Sequence, residues 1–151
     1  MKFYSPLKIM QSKVKNFLLN LNHYRNTHYR VLNNVKVIYK KYMTPQIKKA
    51  KKEDGKVLCI YKLFNGSNHK LDIGNICSVH QKFFEDAFVE LGKLPDDNTD
   101  YIPLVVYVYG GKRVDNPMVE VEVLPLTKSN IELAFKDILS TINIEEERKD
   151  V

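Results

Sequence analysis

Apolar residues recur along this chain with two different periods, and each period predicts a different element. Ile76, Val79, Phe83, Phe84, Ala87, Phe88 and Leu91 fall on one stripe of a 3.6-residue repeat. With Asn75 as N-cap and Gly92 as stop, they predict the clearest helix of the chain. Leu32, Val35, Tyr39 and Tyr42 recur at spacings of three and four and predict an earlier helix, which Pro45 ends or interrupts. Ile131, Phe135, Ile138 and Ile142 mark a last one. Strands follow a period of two. Val119, Val121 and Val123 alternate with Glu120 and Glu122, as on a half-buried strand over Met118–Leu124. Val57–Phe64 is a short apolar run closed by the turn-forming Asn65-Gly66-Ser67-Asn68. Ile102–Tyr109 is apolar on both faces, the signature of a central strand.

The remaining segments read more weakly. Met1–Ser12 shows no period and is expected to be an extension. Val14–Leu21 reads as extended, Asn22–Thr27 as polar and irregular, and Glu145–Val151 as a charged, frayed tail. The order of elements is strand, helix, strand, helix, strand, strand, helix. It predicts an α+β fold, one domain over residues 1–151, with a mixed sheet and helices packed on it.

Composition adds three constraints. At 151 residues and 44% hydrophobic, the chain can bury a core without disulfides. Cys59 and Cys77 lie far apart with no His/Cys cluster around them, so two buried, reduced thiols are expected rather than a zinc site. No apolar run approaches the ~18 residues of a membrane span, and Met1–Met10 lacks the pattern of a signal peptide. A soluble, cytoplasmic protein is expected.

The formal charge is +6 and is unevenly spread. Eight lysines between Lys36 and Lys56 face only Glu53 and Asp54, and Arg25 and Arg30 lie just upstream. Such a stripe attracts polyanions and releases counterions when phosphates bind. It is equally the composition of a solvated helix face. Arg25, Arg30, Lys36, Lys40, Lys41, Lys48 and Lys49 are the candidate contacts to a nucleic-acid backbone.

The candidate chemistry lies between Lys70 and Asp100. Asp72 precedes the clearest helix, Lys82 and Asp86 sit four apart on it, and Asp96 and Asp97 follow it. Carboxylates are hard oxygen donors suited to a cation such as Mg2+. They are also common, purely solvated residues beside helices. A helix over Asn75–Gly92 would be about 25 Å long. Asp72 and Asp97 can then meet at one ion only if the chain returns alongside it.

This ordered set resembles the motif of the RusA-type Holliday junction resolvases, in which D-x-D-N is followed by a lysine, D-A-L, a glycine and D-D. The matching residues are Asp72-Ile73-Gly74-Asn75, Lys82, Asp86-Ala87, Gly92 and Asp96-Asp97. Leu21-Asn22, Tyr24-Arg25-Asn26 and His28-Tyr29-Arg30 are similar to the phage branch of that family, and the similarity runs from about residue 20 to 124. Gly74 stands where the family has its second aspartate, and the Asn75–Lys82 stretch is longer than in the bacterial form. The resemblance implies a homodimeric, Mg2+-dependent endodeoxyribonuclease that cleaves branched DNA such as four-way junctions. It implies Asp72 and Asp97 as metal ligands and Lys82 as the residue stabilising charge on the phosphate. Asp86 and Asp96 are then candidate ligands in place of the missing aspartate. Two alternatives stay open: a catalytically inactive DNA-binding protein of the same fold, and a basic nucleic-acid- or protein-binding module.

Overall fold

The strand predicted over Val57–Phe64 is the centre of the molecule. In the computed structural model, which describes residues 1–145, β4 (Val57–Asn65) is buried at every position but Lys62. It lies between two partners, as a strand apolar on both faces must. Residues 146–151, most of the tail expected to fray, lie outside the described residues.

Along the chain, β1 (Lys2–Pro6) is followed by a small hairpin of β2 (Lys8–Met10) and β3 (Asn16–Leu18). Two helices follow, α1 (Leu21–Arg25) and α2 (Tyr29–Lys48), and then β4 and α3 (Ile73–Glu90). The chain continues through β5 (Leu104–Lys112) and β6 (Met118–Pro125) to α4 (Lys128–Thr141). The main sheet has the order β1-β6-β4-β5, with β4·β5 parallel and the other pairs antiparallel. The fold is α+β with a mixed sheet of four strands, as the periodicity predicts. No helix among the described residues is long and apolar enough to cross a membrane.

Alternation along the strands separates two cores. Phe3, Cys59, Tyr61, Leu63, Val119, Val121 and Val123 face α2 and α3, where they meet Val35, Tyr39, Met43, Phe83, Phe84 and Phe88. Leu58, Ile60 and Val108 face α4, which buries only Ala134 fully. The first cluster holds most of the buried apolar surface and therefore most of the hydrophobic stabilisation. Cys59 and Cys77 are buried free thiols. Burial pushes both above their ordinary range, Cys77 to about 12.

Four sequence expectations are corrected. Residues 2–6, read as extension, form an edge strand, with Phe3 buried and packed on Phe84 and Phe88. Five residues are too few for a period to show. The irregular stretch Asn22–Thr27 is largely helical, because Asn20 accepts a hydrogen bond from the His23 N–H and caps α1. Pro45 neither ends nor breaks α2, which continues to Lys48. Its ring is on the exposed side, and the Thr44 hydroxyl donates to the Lys40 carbonyl (2.6 Å). The run Ile102–Tyr109 is not central. β5 is an edge strand, and its two apolar faces lie against α3 and α4.

Candidate functional site

Helix α3 carries most of the residues singled out for chemistry, and its capping decides where they stand. The helix starts earlier than expected: Asp72, not Asn75, is its N-cap. The Asp72 carboxylate accepts from the N–H groups of Gly74 (3.0 Å) and Asn75 (3.3 Å). Asn75 is left free for another task, and its Oδ1 accepts from the Leu21 N–H (3.1 Å), which ties α1 to the start of α3. The result is an open recess of about 610 Å³ whose lining includes Asn22, Arg25, Asp72, Asn75 and Ser78. Ser78 Oγ is buried there with no hydrogen-bond partner among the described residues. Asp72 from the candidate metal set and Arg25 from the candidate DNA-binding set, 47 positions apart in sequence, thus line one surface. Gly74 borders the same recess. A Cβ there would meet only the Asp72 carboxylate, at 3.5 Å, so nothing in the fold demands a glycine.

The other acids gather at the opposite end. Asp86 is half-buried, and its pKa is raised by burial against the opposing pull of Lys36 and Lys82, with Asp97 and Glu90 adding to the rise. Glu85, not anticipated from sequence, is buried and pushed up to about 7, chiefly by desolvation. Hydrogen bonds from the Tyr61 hydroxyl (3.0 Å) and Gln81 (3.4 Å) work against that rise, and Asp97 and Asp86 reinforce it. The Tyr107 hydroxyl in turn donates to Gln81. The signal for Glu85 was its place inside the apolar run Phe83-Phe84-Glu85-Asp86-Ala87-Phe88.

Asp96 is occupied locally, accepting from the Asp97 N–H (2.7 Å) and the Asn98 amide (2.9 Å), which makes it a turn residue. The Asp97 carboxylate has no hydrogen bond or ion pair among the described residues.

Asp72 and Asp97 are therefore not brought together in one chain. Asp72 and Asp86 are 14 residues apart on one unbroken helix, about 21 Å along its axis. Asp97 lies at the Glu85–Asp86 end. Two carboxylates binding one Mg2+ each place an oxygen about 2.1 Å from it. Among the described residues no three His, Cys, Asp or Glu side chains converge as a metal site requires. The length of α3 separates Asp72 from Asp86, and among the described residues the expected ligands Asp72, Asp97, Asp86 and Asp96 form no group of three around one ion.

The basic stripe divides as well. Lys40 is paired with Glu90 (2.9 Å), and Lys36 lies 5.9 Å over the Phe83 ring and near Asp86, so both cations serve the α2–α3 contact. Lys41, Lys48 and Lys49 are exposed, with no ion pair among the described residues. Arg25 and Arg30 are exposed too, and the Arg30 guanidinium lies 5.9 Å from the Tyr29 ring. Lys82 is exposed one turn before Asp86. No protein-family model matches this chain, and no curated protein matches it.

Proposed function

We propose that this chain is an endodeoxyribonuclease acting on branched DNA. The observation that carries the reading is the recess at the start of α3, where an aspartate and an arginine from distant parts of the motif line one open surface. Arg25 can donate to phosphate oxygens, and the N-terminal dipoles of an 18-residue helix favour an anion at the same place. The exposed Arg30, Lys41, Lys48 and Lys49 extend positive charge along α2, where backbone contacts would position a duplex without reading its sequence. The Asp72 carboxylate would repel a phosphate entering this recess unless a cation lay between them. Among the described residues no three His, Cys, Asp or Glu side chains converge on one ion, so Asp72 would be the carboxylate of the recess that faces such a cation.

The second reading, a DNA-binding protein without catalysis, is favoured by a specific observation. Gly74 leaves Asp72 as the one carboxylate among the described residues that lines the recess. The two readings separate in one experiment: cleavage of a synthetic four-way junction beside linear duplex, with and without Mg2+ or Mn2+. The nuclease predicts metal-dependent cuts in the junction that Asp72→Asn abolishes. Junction binding without cleavage in either metal refutes the nuclease and leaves the binder. Binding equal for junction and duplex refutes both. A junction affinity that does not fall with salt refutes the phosphate contacts assigned to Arg25, Arg30 and the α2 lysines.

A further inference from the structure

The segment that joins β4 to α3 walls a second cavity, which the proposed function leaves unused. It holds about 400 Å³, and its lining includes Tyr109, Asn68, Lys70, Leu71 and Lys112. Tyr109 is its unusual member. The residue is 48% exposed, yet its hydroxyl is tied down, donating to Asn65 Oδ1 (2.6 Å). Asn65 is itself buried, and its amide donates to the carbonyls of Ser67 (2.7 Å) and His69 (3.3 Å). One buried side chain thus fixes both the loop and the tilt of the ring. An aromatic ring held at its polar end and half open to solvent is a platform that loses little freedom when a ligand lies on it.

The sheet decides where that ring points. Tyr107 lies against α3, where its hydroxyl meets Gln81, and Tyr109, two residues on, takes the same side of β5. The register with β4 slips just beyond it, so that Leu63 faces Tyr109 but Phe64 faces Gly111. Such a bulge bends the strand and re-aims its side chains. The cavity consequently lies at the start of α3. Leu71 lines it, and the next residue, Asp72, lines the Arg25 recess, their Cα atoms being about 3.8 Å apart.

We propose that this cavity takes one unpaired nucleobase, stacked on the Tyr109 ring. Any base can stack on an aromatic face, whatever the sequence around it. The exposed Leu71 adds apolar surface to the same cavity. Lys70 and Lys112 bring positive charge, and among the described residues no carboxylate lines the cavity, so the phosphates that flank a base are attracted. Asn68 Oδ1 accepts from Lys112 Nζ (2.6 Å), which leaves the Asn68 amide N–H groups for the edge of the base. A base paired within a duplex cannot enter a walled cavity. The ligand is therefore a base that a bulge, a branch point or extrusion has freed. Where the recess holds a phosphate, the stacked base belongs to an adjoining nucleotide of the same strand. Only that last step rests on the nuclease reading.

The test uses the full chain and two fluorescein-labelled duplexes that differ at one central bulge, a thymine in one and an abasic residue in the other. Fluorescence anisotropy should show the thymine bulge bound about 5-fold to 150-fold more tightly than the abasic one. Tyr109→Leu should remove that preference with circular dichroism unchanged, and Tyr109→Phe, which keeps the ring, should retain part of it. Equal affinity of the wild type for both duplexes overturns the proposal. So does a preference that survives Tyr109→Leu. Should Tyr109→Leu fail to fold, photocrosslinking of the wild type to a bulged 5-iodouracil decides. A crosslink at Tyr109 supports the stacked base, and none there overturns it.

The two readings fail separately. A preference for the bulged base without cleavage of a four-way junction in Mg2+ or Mn2+ upholds this inference and refutes the nuclease. Metal-dependent junction cleavage with no preference for the bulged base does the reverse.

Discussion

Replacing Glu85 by glutamine is expected to remove a titration that opposes that of His80, so that stability falls more steeply in acid than in the wild type. Two buried groups oppose each other in this core. His80 is fully buried, its Nδ1 bound to Ser5 Oγ (2.6 Å), and desolvation lowers its pKa from 6.5 to about 3. The folded chain keeps it neutral while the unfolded chain protonates below pH 6.5, so its contribution is present above 6.5 and is lost as pH falls toward 3. At pH 5 the loss is about 2 kcal/mol, from 1.36 kcal/mol per unit. Glu85 has the opposite sign, because its folded pKa, about 7, lies above its ordinary 4.5. The fold favours its protonated form, so its contribution is present below 4.5 and is lost as pH rises through 7. Between pH 7 and pH 5 it adds about 2 kcal/mol, which offsets His80. Glutamine keeps the acceptor for the Tyr61 hydroxyl and removes the titration. The variant should be more stable than wild type by up to about 3 kcal/mol at pH 8, then lose about 2 kcal/mol between pH 7 and pH 5. Urea denaturation at pH 8, 7, 6 and 5 reads both profiles. A variant as flat as wild type would refute the neutral, buried His80. A wild type falling as steeply as the variant would refute the raised Glu85.

Two further expectations concern glycine and capping. Gly110→Ala should destabilise by about 1–3 kcal/mol in thermal melts, because its Cβ would stand 2.5 Å from the Phe64 ring and 2.8 Å from the Lys62 side chain. Asp72→Ala should cost about 1 kcal/mol through the lost cap of α3, while Asp72→Asn retains most of it. An alanine variant as stable as wild type would show that the cap contributes nothing.

Much of this molecule could be read from the chain alone. The helix of Ile76–Leu91, the strands of Val57–Phe64 and Met118–Leu124, and the α+β class all follow from local periodicity. That period is set by which residues stand three, four or two apart, and no distant contact alters it. The length of α3 also follows from sequence, and with it the difficulty of joining Asp72 to Asp97. Only the tertiary structure decided which strand lies at an edge, since both faces of Ile102–Tyr109 are apolar in either place. It likewise decided that Lys40 meets Glu90, that Glu85 is buried under Tyr61 and that Arg25 borders Asp72. Those pairings join residues 24 to 50 positions apart, and what places them is the packing of α1 and α2 against α3 and of α3 against the sheet, which no local pattern encodes.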